Sequence, residues 1–302
     1  MIVPEHWAEA QAQQQLGGRQ ITLRRLGWSM RSAEDAQAMA EARVAEALQR
    51  SQAGESLPRR ERKQGYSGAA GLPIREEVLS RWDEEVITRN SYGARCLNTP
   101  HALFADVDFE PLHPARKVFA VLGLLIAPLA LLLGRAVQRA RAPAPPDEAA
   151  VRTRLQRFLQ QHPAWTVRLY VTPKGLRLLA THQRFDPAAP EVQAFFDAVG
   201  ADPVYVRMCQ NQRCFRARLS AKPWRIGLRE RLRPSHAAWP LAPALQPQRE
   251  HWVAQYEQAA AGYAACRWIE TLGSGQVHPS LRAVVELHDR ESRALQPGLK
   301  LA

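Results

Sequence analysis

Two aspartates, Asp106 and Asp108, are the residues with the clearest capacity for chemistry, and they alternate within the apolar stretch 102–109. Alternate residues of a β-strand point to the same face, so this stretch predicts two carboxylates on one side of a strand. Paired carboxylates are common ligands of Mg²⁺ and Mn²⁺, and burying them without a cation or a basic partner is costly. We therefore expect Asp106 and Asp108 to be catalytic metal ligands, with Mg²⁺ or Mn²⁺ as cofactor. The alternatives are solvated acids on an edge strand and an ion pair with an arginine.

Basic side chains follow the acidic pair in two groups. Strands predicted over 165–171 and 176–182 form a hairpin that brings Lys174 and Arg177 together. The run 207–233 then holds nine basic residues against one acid, with Trp224 among them. Basic side chains interleaved with aromatic ones suit phosphate contact and base stacking. The expected nucleic-acid- or phosphate-binding residues are Lys174, Arg177, Arg213, Arg216, Arg218, Lys222 and Arg225. The alternative is an ordinary solvated face of an arginine-rich chain.

The overall composition is that of a folded, basic protein. Of 302 residues, 46% are hydrophobic and 23% charged, and the net charge is +12. This charge favours anionic partners, either nucleic acid and nucleotides or an anionic membrane. The four cysteines lack the spacing of a zinc site, so we expect reduced thiols and no disulfide partner. Residues 1–20 lack the apolar core of a signal peptide, which favours an intracellular protein.

The elements that must position these residues predict an α+β fold with a mixed, mostly antiparallel sheet flanked by helices. Helices are expected over 5–16, 33–50, 76–82, 148–161, 190–199 and 248–271, and strands include 102–109, the hairpin and 204–208. Ser32 and Asp147 stand where helix N-caps belong. The predicted domains are a small β–α unit (1–55), an α+β core (56–110 and 142–233), a hydrophobic insert (111–141) and a C-terminal helical extension (234–302).

The insert contains the apolar segment 118–134, which includes Val118, Leu125, Pro128 and Leu133. A helix of this length spans about 25 Å, against a bilayer core of about 30 Å. A single crossing would also separate Asp106 from the later strands of the predicted sheet. We therefore favour a re-entrant hairpin broken at Pro128, on the cytoplasmic side of the inner (plasma) membrane. A single transmembrane helix and a buried or partner-binding helix are the alternatives.

The order of the motifs resembles the catalytic core of the archaeo-eukaryotic primase–polymerase superfamily over about residues 100–226. A strand with Asp-x-Asp, a hairpin with Thr-x-x-Gly-x-basic, an Asp-Pro pair at a helix end and the stretch FRARLSAKPWR follow one another. The resemblance implies that Asp106 and Asp108 bind metal and that Arg218 and Lys222 face phosphates. The chain departs from the family at Arg177, which stands where the family has a histidine, and Asp202 is the nearest candidate for the third acid.

Together these features predict a membrane-associated intracellular protein with a basic phosphate- or nucleic-acid-binding face, in a degenerate primase–polymerase-like domain. One alternative is an active, metal-dependent nucleotidyl transferase that uses Asp106 and Asp108. Another is a single-pass membrane scaffold protein without catalysis. The sequence leaves open whether the protein is an enzyme.

Overall fold

The computed structural model of the chain describes residues 1–16, 19–58, 72–109 and 147–302, and these form an α+β fold with antiparallel sheets, as predicted. The strands are β1 (His6–Leu16), β2 (Arg19–Ser29), β3 (Glu77–Trp82), β4 (Glu85–Arg89), β5 (Arg95–Thr99), β6 (Phe104–Asp108), β7 (Thr166–Thr172), β8 (Gly175–Ala180), β9 (Phe215–Arg218), β10 (Tyr263–Ala264), β11 (Arg267–Gly273) and β12 (Lys300–Leu301). The helices are α1 (Ala33–Gln52), α2 (Glu148–Gln161), α3 (Pro190–Val199), α4 (Pro203–Gln212), α5 (Gln246–Ala260) and α6 (Arg282–Ser292).

The N-terminal unit is a long hairpin covered by a helix. β1 and β2 pair antiparallel along their whole length, and α1 packs on them with its N-terminus capped by the Ser32 side chain. The prediction of a helix over 5–16 is wrong. Its Ala, Gln and Glu residues favour helix locally, but pairing with β2 and burial of Trp7 and Ala10 override that weak preference.

One four-stranded sheet has the order β3-β4-β5-β9, and every neighbouring pair is antiparallel. The predicted helix over 76–82 is wrong, because these residues form β3 and bond to β4. Strand β9 joins from far along the chain. Its register sets Arg216 opposite Asn98 and Arg218 opposite Cys96.

The second sheet has the order β11-β7-β8-β6 and is also antiparallel throughout. It confirms the predicted strand over 102–109 and the predicted hairpin over 165–182. Gly175 lies opposite Asp108, and a Cβ atom there would come within 1.9 Å of the Val107 carbonyl oxygen. The close approach of β8 to β6 therefore requires glycine. In the same register, Asp106 lies directly opposite Arg177.

Three predicted elements can be compared with the structure at their boundaries. Asp147 caps α2 as predicted, since its side chain accepts from the Ala150 N–H. The strand predicted over 204–208 is wrong, because these residues lie in α4. Asp202 caps that helix and Pro203 occupies its first turn, where proline loses no hydrogen bond. The predicted helix over 248–271 is shorter than expected, and its last residues form β11.

The main hydrophobic core joins the two four-stranded sheets and helices α2, α3, α4 and α6. Tyr205 of α4 connects β6 to β9, because its buried hydroxyl lies 3.1 Å from the carbonyl oxygens of both Phe104 and Arg216. This contact holds the strand that carries Asp106 beside the strand that carries Arg218.

The apolar segment 118–134, with Val118, Leu125, Pro128 and Leu133, lies outside the described residues. Within residues 1–16, 19–58, 72–109 and 147–302, no helix has the length and hydropathy needed to cross a membrane.

Candidate functional site

A pocket with a cavity volume of about 120 Å³, partly open to solvent, lies where β6 and β8 of one sheet meet β9 of the other. Its lining is polar and carries charges of both signs. It is lined by Tyr92, Cys96, Asp106, Asp108, Thr172, Lys174, Arg177, Asp202, Tyr205, Met208, Arg216, Arg218, Lys222 and Arg225. Most of the residues expected to bind metal or phosphate therefore meet in one place.

At the base of the pocket, Asp106 is paired with Arg177. The guanidinium donates from Nε to Oδ1 of Asp106 at 2.9 Å and from Nη2 to Oδ2 at 3.3 Å. Its Nη1 donates to the Arg218 carbonyl oxygen at 2.9 Å, which connects β8 to β9. Burial by itself would lower the pKa of Arg177, but the Asp106 carboxylate raises it, so the guanidinium stays charged. The ion pair with arginine that the sequence left open is thus formed at Asp106.

Asp108 and Asp202 complete an acidic wall with Asp106. Asp108 is exposed to solvent at the end of β6. The pocket nevertheless removes part of the water around its carboxyl group. This loss of hydration, followed by the nearby charges of Asp106 and Asp202, raises the pKa of the Asp108 carboxyl. The Asp202 carboxylate accepts from the Val204 N–H at 2.8 Å, and the Asp202 N–H donates to the Asp106 carbonyl oxygen at 3.0 Å. The start of α4 therefore positions the third acid.

The cationic wall, formed by Arg218, Lys222 and Arg225, faces these acids. Within the described parts of the chain, none of the three forms an ion pair with an Asp or Glu side chain, and Arg218 donates to an oxygen of Ala302 at 2.9 Å. Burial, followed by the charges of Arg218 and Arg225, lowers the pKa of the Lys222 amino group to about 8. Burial and the charge of Arg218 likewise lower the pKa of Arg225. The wall therefore concentrates positive charge that the nearby acids only partly offset.

Arg216 also borders the pocket, but its charge is matched within the protein. Its guanidinium donates to the Glu76 carboxylate, and the two side chains are 9% and 5% exposed. Glu76 also accepts from the Thr88 hydroxyl at 2.7 Å. Burial would lower the pKa of Arg216, and Glu76 raises it instead.

An aromatic pair, Tyr92 and Trp224, borders the cationic wall. The two rings meet edge to face with centroids 5.1 Å apart, and the Lys222 amino group lies over the Trp224 ring, 5.6 Å from its centroid. Trp224 belongs to a single 3-10 turn, Pro223–Arg225, and is 58% exposed. Tyr92 was not among the predicted site residues.

Arg213 is the predicted phosphate-binding residue that lies away from the pocket. It ends α4, its side chain is 61% exposed, and its nearest carboxylate is Asp186 at 3.8 Å. Sequence reasoning also missed Tyr205, because the stretch around it was assigned to a strand. The Asp202–Pro203 pair was the available signal, since an N-cap residue followed by proline is typical of a helix start.

The acidic wall fits a divalent cation only in part. Both carboxylate oxygens of Asp106 accept from Arg177, and one oxygen of Asp202 caps α4, so Asp108 is the acid with the most open coordination sphere. Across the described ranges, no group of three or more His, Cys, Asp or Glu side chains is arranged to hold a metal ion.

Comparisons of the chain with protein-family models, with curated proteins and with solved structures each gave no match. The resemblance to the primase–polymerase core therefore stays a prediction from motif order.

Proposed function

We propose that the pocket binds the phosphate groups of a nucleotide or a nucleic acid through its cationic wall. The observation that carries the proposal is the gathering of Arg218, Lys222 and Arg225 without an ion-pairing Asp or Glu side chain among the described residues. Like charges brought together in a partly dehydrated pocket repel each other, and that repulsion is relieved when an anion binds.

The charge distribution favours an anion over a lone cation. The lining holds six cationic side chains and three carboxylates. Asp106 is matched by Arg177 and Arg216 by Glu76, so these two pairs contribute little net charge. The remaining cations are arginine and lysine side chains, whose N–H groups form strong, charge-assisted hydrogen bonds with phosphate oxygens.

Calorimetric titration with inorganic tripolyphosphate tests this proposal. We expect one site per chain, with affinity that falls as salt is added. Replacing Lys222→Gln should weaken binding about tenfold or more, because a charge-assisted hydrogen bond contributes about 1.5–3 kcal/mol. Arg213→Gln is the matched control, since it removes one basic charge outside the pocket and should leave affinity unchanged. No binding by the wild type, or equal losses in the two variants, would contradict the proposal.

The second candidate is metal-dependent nucleotidyl transfer by Asp106 and Asp108. It is favoured by the placement of both carboxylates on one wall, where loss of hydration and then the charges of Asp106 and Asp202 raise the pKa of Asp108. A divalent cation held there would contribute positive charge next to bound phosphates. Titration with Mn²⁺, followed by electron paramagnetic resonance, should show a site that Asp108→Asn removes. An unchanged isotherm in that variant would reject the metal site and support a degenerate, binding-only pocket.

Membrane association is a separate proposal that rests on the uncharged, leucine-rich sequence of 118–133. Cell fractionation should recover the full chain with membranes, and deletion of 118–134 should release it. Full recovery of the wild type in the soluble fraction without detergent would contradict this proposal.

A further inference from the structure

We infer that Trp224 determines the specificity of the pocket by stacking on a nucleobase while the cationic wall holds the attached phosphates. The inference rests on the proposed phosphate-binding function and adds the part of the ligand that the cations cannot recognise. Its basis is the position of an accessible indole ring beside residues that line the pocket.

The first observation is the exposure of Trp224 next to the cations. The residue is 58% exposed, more than any other exposed tryptophan in the described chain, whereas Trp82 is 44% and Trp268 39% exposed. Its neighbours Lys222 and Arg225 both line the pocket. A large aromatic surface left in water beside a phosphate site is the arrangement that binds an aromatic group joined to a phosphate.

The second observation is that the ring is held in place before any ligand arrives. The edge-to-face contact with Tyr92, at 5.1 Å, supports one side of the indole, and the Pro223 turn restricts its backbone. Tyr92 itself lines the pocket. A pre-positioned ring loses little conformational entropy on stacking, so the contact can contribute to affinity.

The third observation concerns the size of the ligand. The enclosed volume of the pocket is about 120 Å³, below the range of roughly 300–1,000 Å³ that is typical of small-molecule sites, so the pocket can hold phosphates while the base lies outside it against Trp224. A long nucleic-acid strand needs cations spread along a surface track. Here Arg216 is turned inward onto Glu76 and Arg213 lies outside the pocket, so the basic strand does not present such a track. These features favour a free nucleotide.

Three probes separate the base from the phosphates: adenosine triphosphate, tripolyphosphate and a short single-stranded DNA. We expect the wild type to bind adenosine triphosphate about tenfold or more tightly than tripolyphosphate, from the usual strength of base–aromatic stacking. Trp224→Leu should reduce nucleotide affinity to that of tripolyphosphate without changing tripolyphosphate binding. Trp224→Phe should retain most of the preference, and Trp82→Leu, an exposed tryptophan elsewhere, should retain all of it.

Equal affinity of the wild type for nucleotide and tripolyphosphate would overturn the inference. So would equal weakening of both ligands by Trp224→Leu, since the ring would then only support Lys222. Tighter, Trp224-dependent binding of the DNA strand would assign the site to nucleic acid and overturn the choice of a free nucleotide. Nucleotide binding that needs Trp224 but not Lys222 would leave stacking intact and contradict the phosphate proposal instead.

Discussion

Two arginines on the short strand β9 have different electrostatic surroundings. Arg216 is nearly buried and donates to Glu76, the residue that precedes β3 at the opposite edge of the same sheet. Arg218, two residues later, joins Lys222 and Arg225 in the cationic wall and donates to main-chain oxygens, including that of Ala302 at 2.9 Å. The side chains differ in the partners the fold supplies to them.

We infer from this difference that Arg216 stabilises the fold and that the cationic wall binds a ligand. At Arg216 the protein provides the counter-ion, so removing it takes the ion-pair partner away from a buried carboxylate. At the cationic wall the described residues provide no ion-pairing Asp or Glu side chain, so removing a cation relieves repulsion. We therefore expect substitutions at Arg216 to lower stability, and substitutions in the cationic wall to weaken ligand binding while raising stability.

The largest effect should come from Arg216→Met. Removing one partner of a buried ion pair costs about 3–5 kcal/mol, so we expect the free energy of unfolding to fall by that amount when the Glu76 carboxylate loses the Arg216 guanidinium. Urea denaturation followed by circular dichroism measures it. Arg213→Met is the control, and its exposed, loosely paired side chain should change stability by less than about 0.5 kcal/mol. Similar values for the two variants would remove the structural role assigned to Arg216.

A smaller effect of opposite sign is expected for Lys222→Gln. Burial and two neighbouring cations disfavour the charged amino group in the folded state. Its removal should raise the free energy of unfolding at pH 7 by about 1 kcal/mol, less than the full pKa shift implies because the side chain is partly accessible. The wild type should likewise gain stability as the pH rises above about 8 toward the ordinary lysine value of 10.5, because the unfolded chain then binds more protons than the folded one. A destabilised variant would contradict the account.

The smallest expected effect is the pH dependence of phosphate binding. Lys222 is charged below its pKa of about 8, so tripolyphosphate affinity should weaken as the pH rises from 7 to 9. The Lys222→Gln variant reports the ligand's own ionisation, and the difference between the two curves isolates the lysine. Parallel curves would show that Lys222 takes no part in binding.

The sequence predicted the acidic strand and the basic hairpin because their patterns are local. β6, β7 and β8 form within the short apolar stretches that predicted strands, and the Thr-x-x-Gly turn places Gly175 where the strands approach most closely. The convergence of Asp106 with Arg177 follows from their direct pairing in register. Within these parts of the site, the pairing of β6 with β8 is the contact that joins segments distant in sequence, 71 residues apart at Asp106 and Arg177.

The remaining parts depend on contacts distant in sequence. β1 has a helical composition and becomes a strand only because β2 pairs with it. Arg216 is turned away from the predicted basic group by its ion pair with Glu76, which lies 140 residues earlier in the chain. No spacing rule connects those two residues, so the sequence placed Arg213, Arg216 and Arg218 in one basic group that the fold divides.

The most direct test of the account is the pKa of the Lys222 amino group with and without tripolyphosphate. The chain has five lysines, so lysine labelled with ¹³C at Cε gives few NMR signals, and the signal lost in Lys222→Gln identifies the residue. We expect a titration midpoint near 8 in the free protein, rising by at least one unit when tripolyphosphate is bound. A midpoint at the ordinary lysine value in the free protein, or one that tripolyphosphate does not move, would contradict the claim that the cationic wall is a phosphate site.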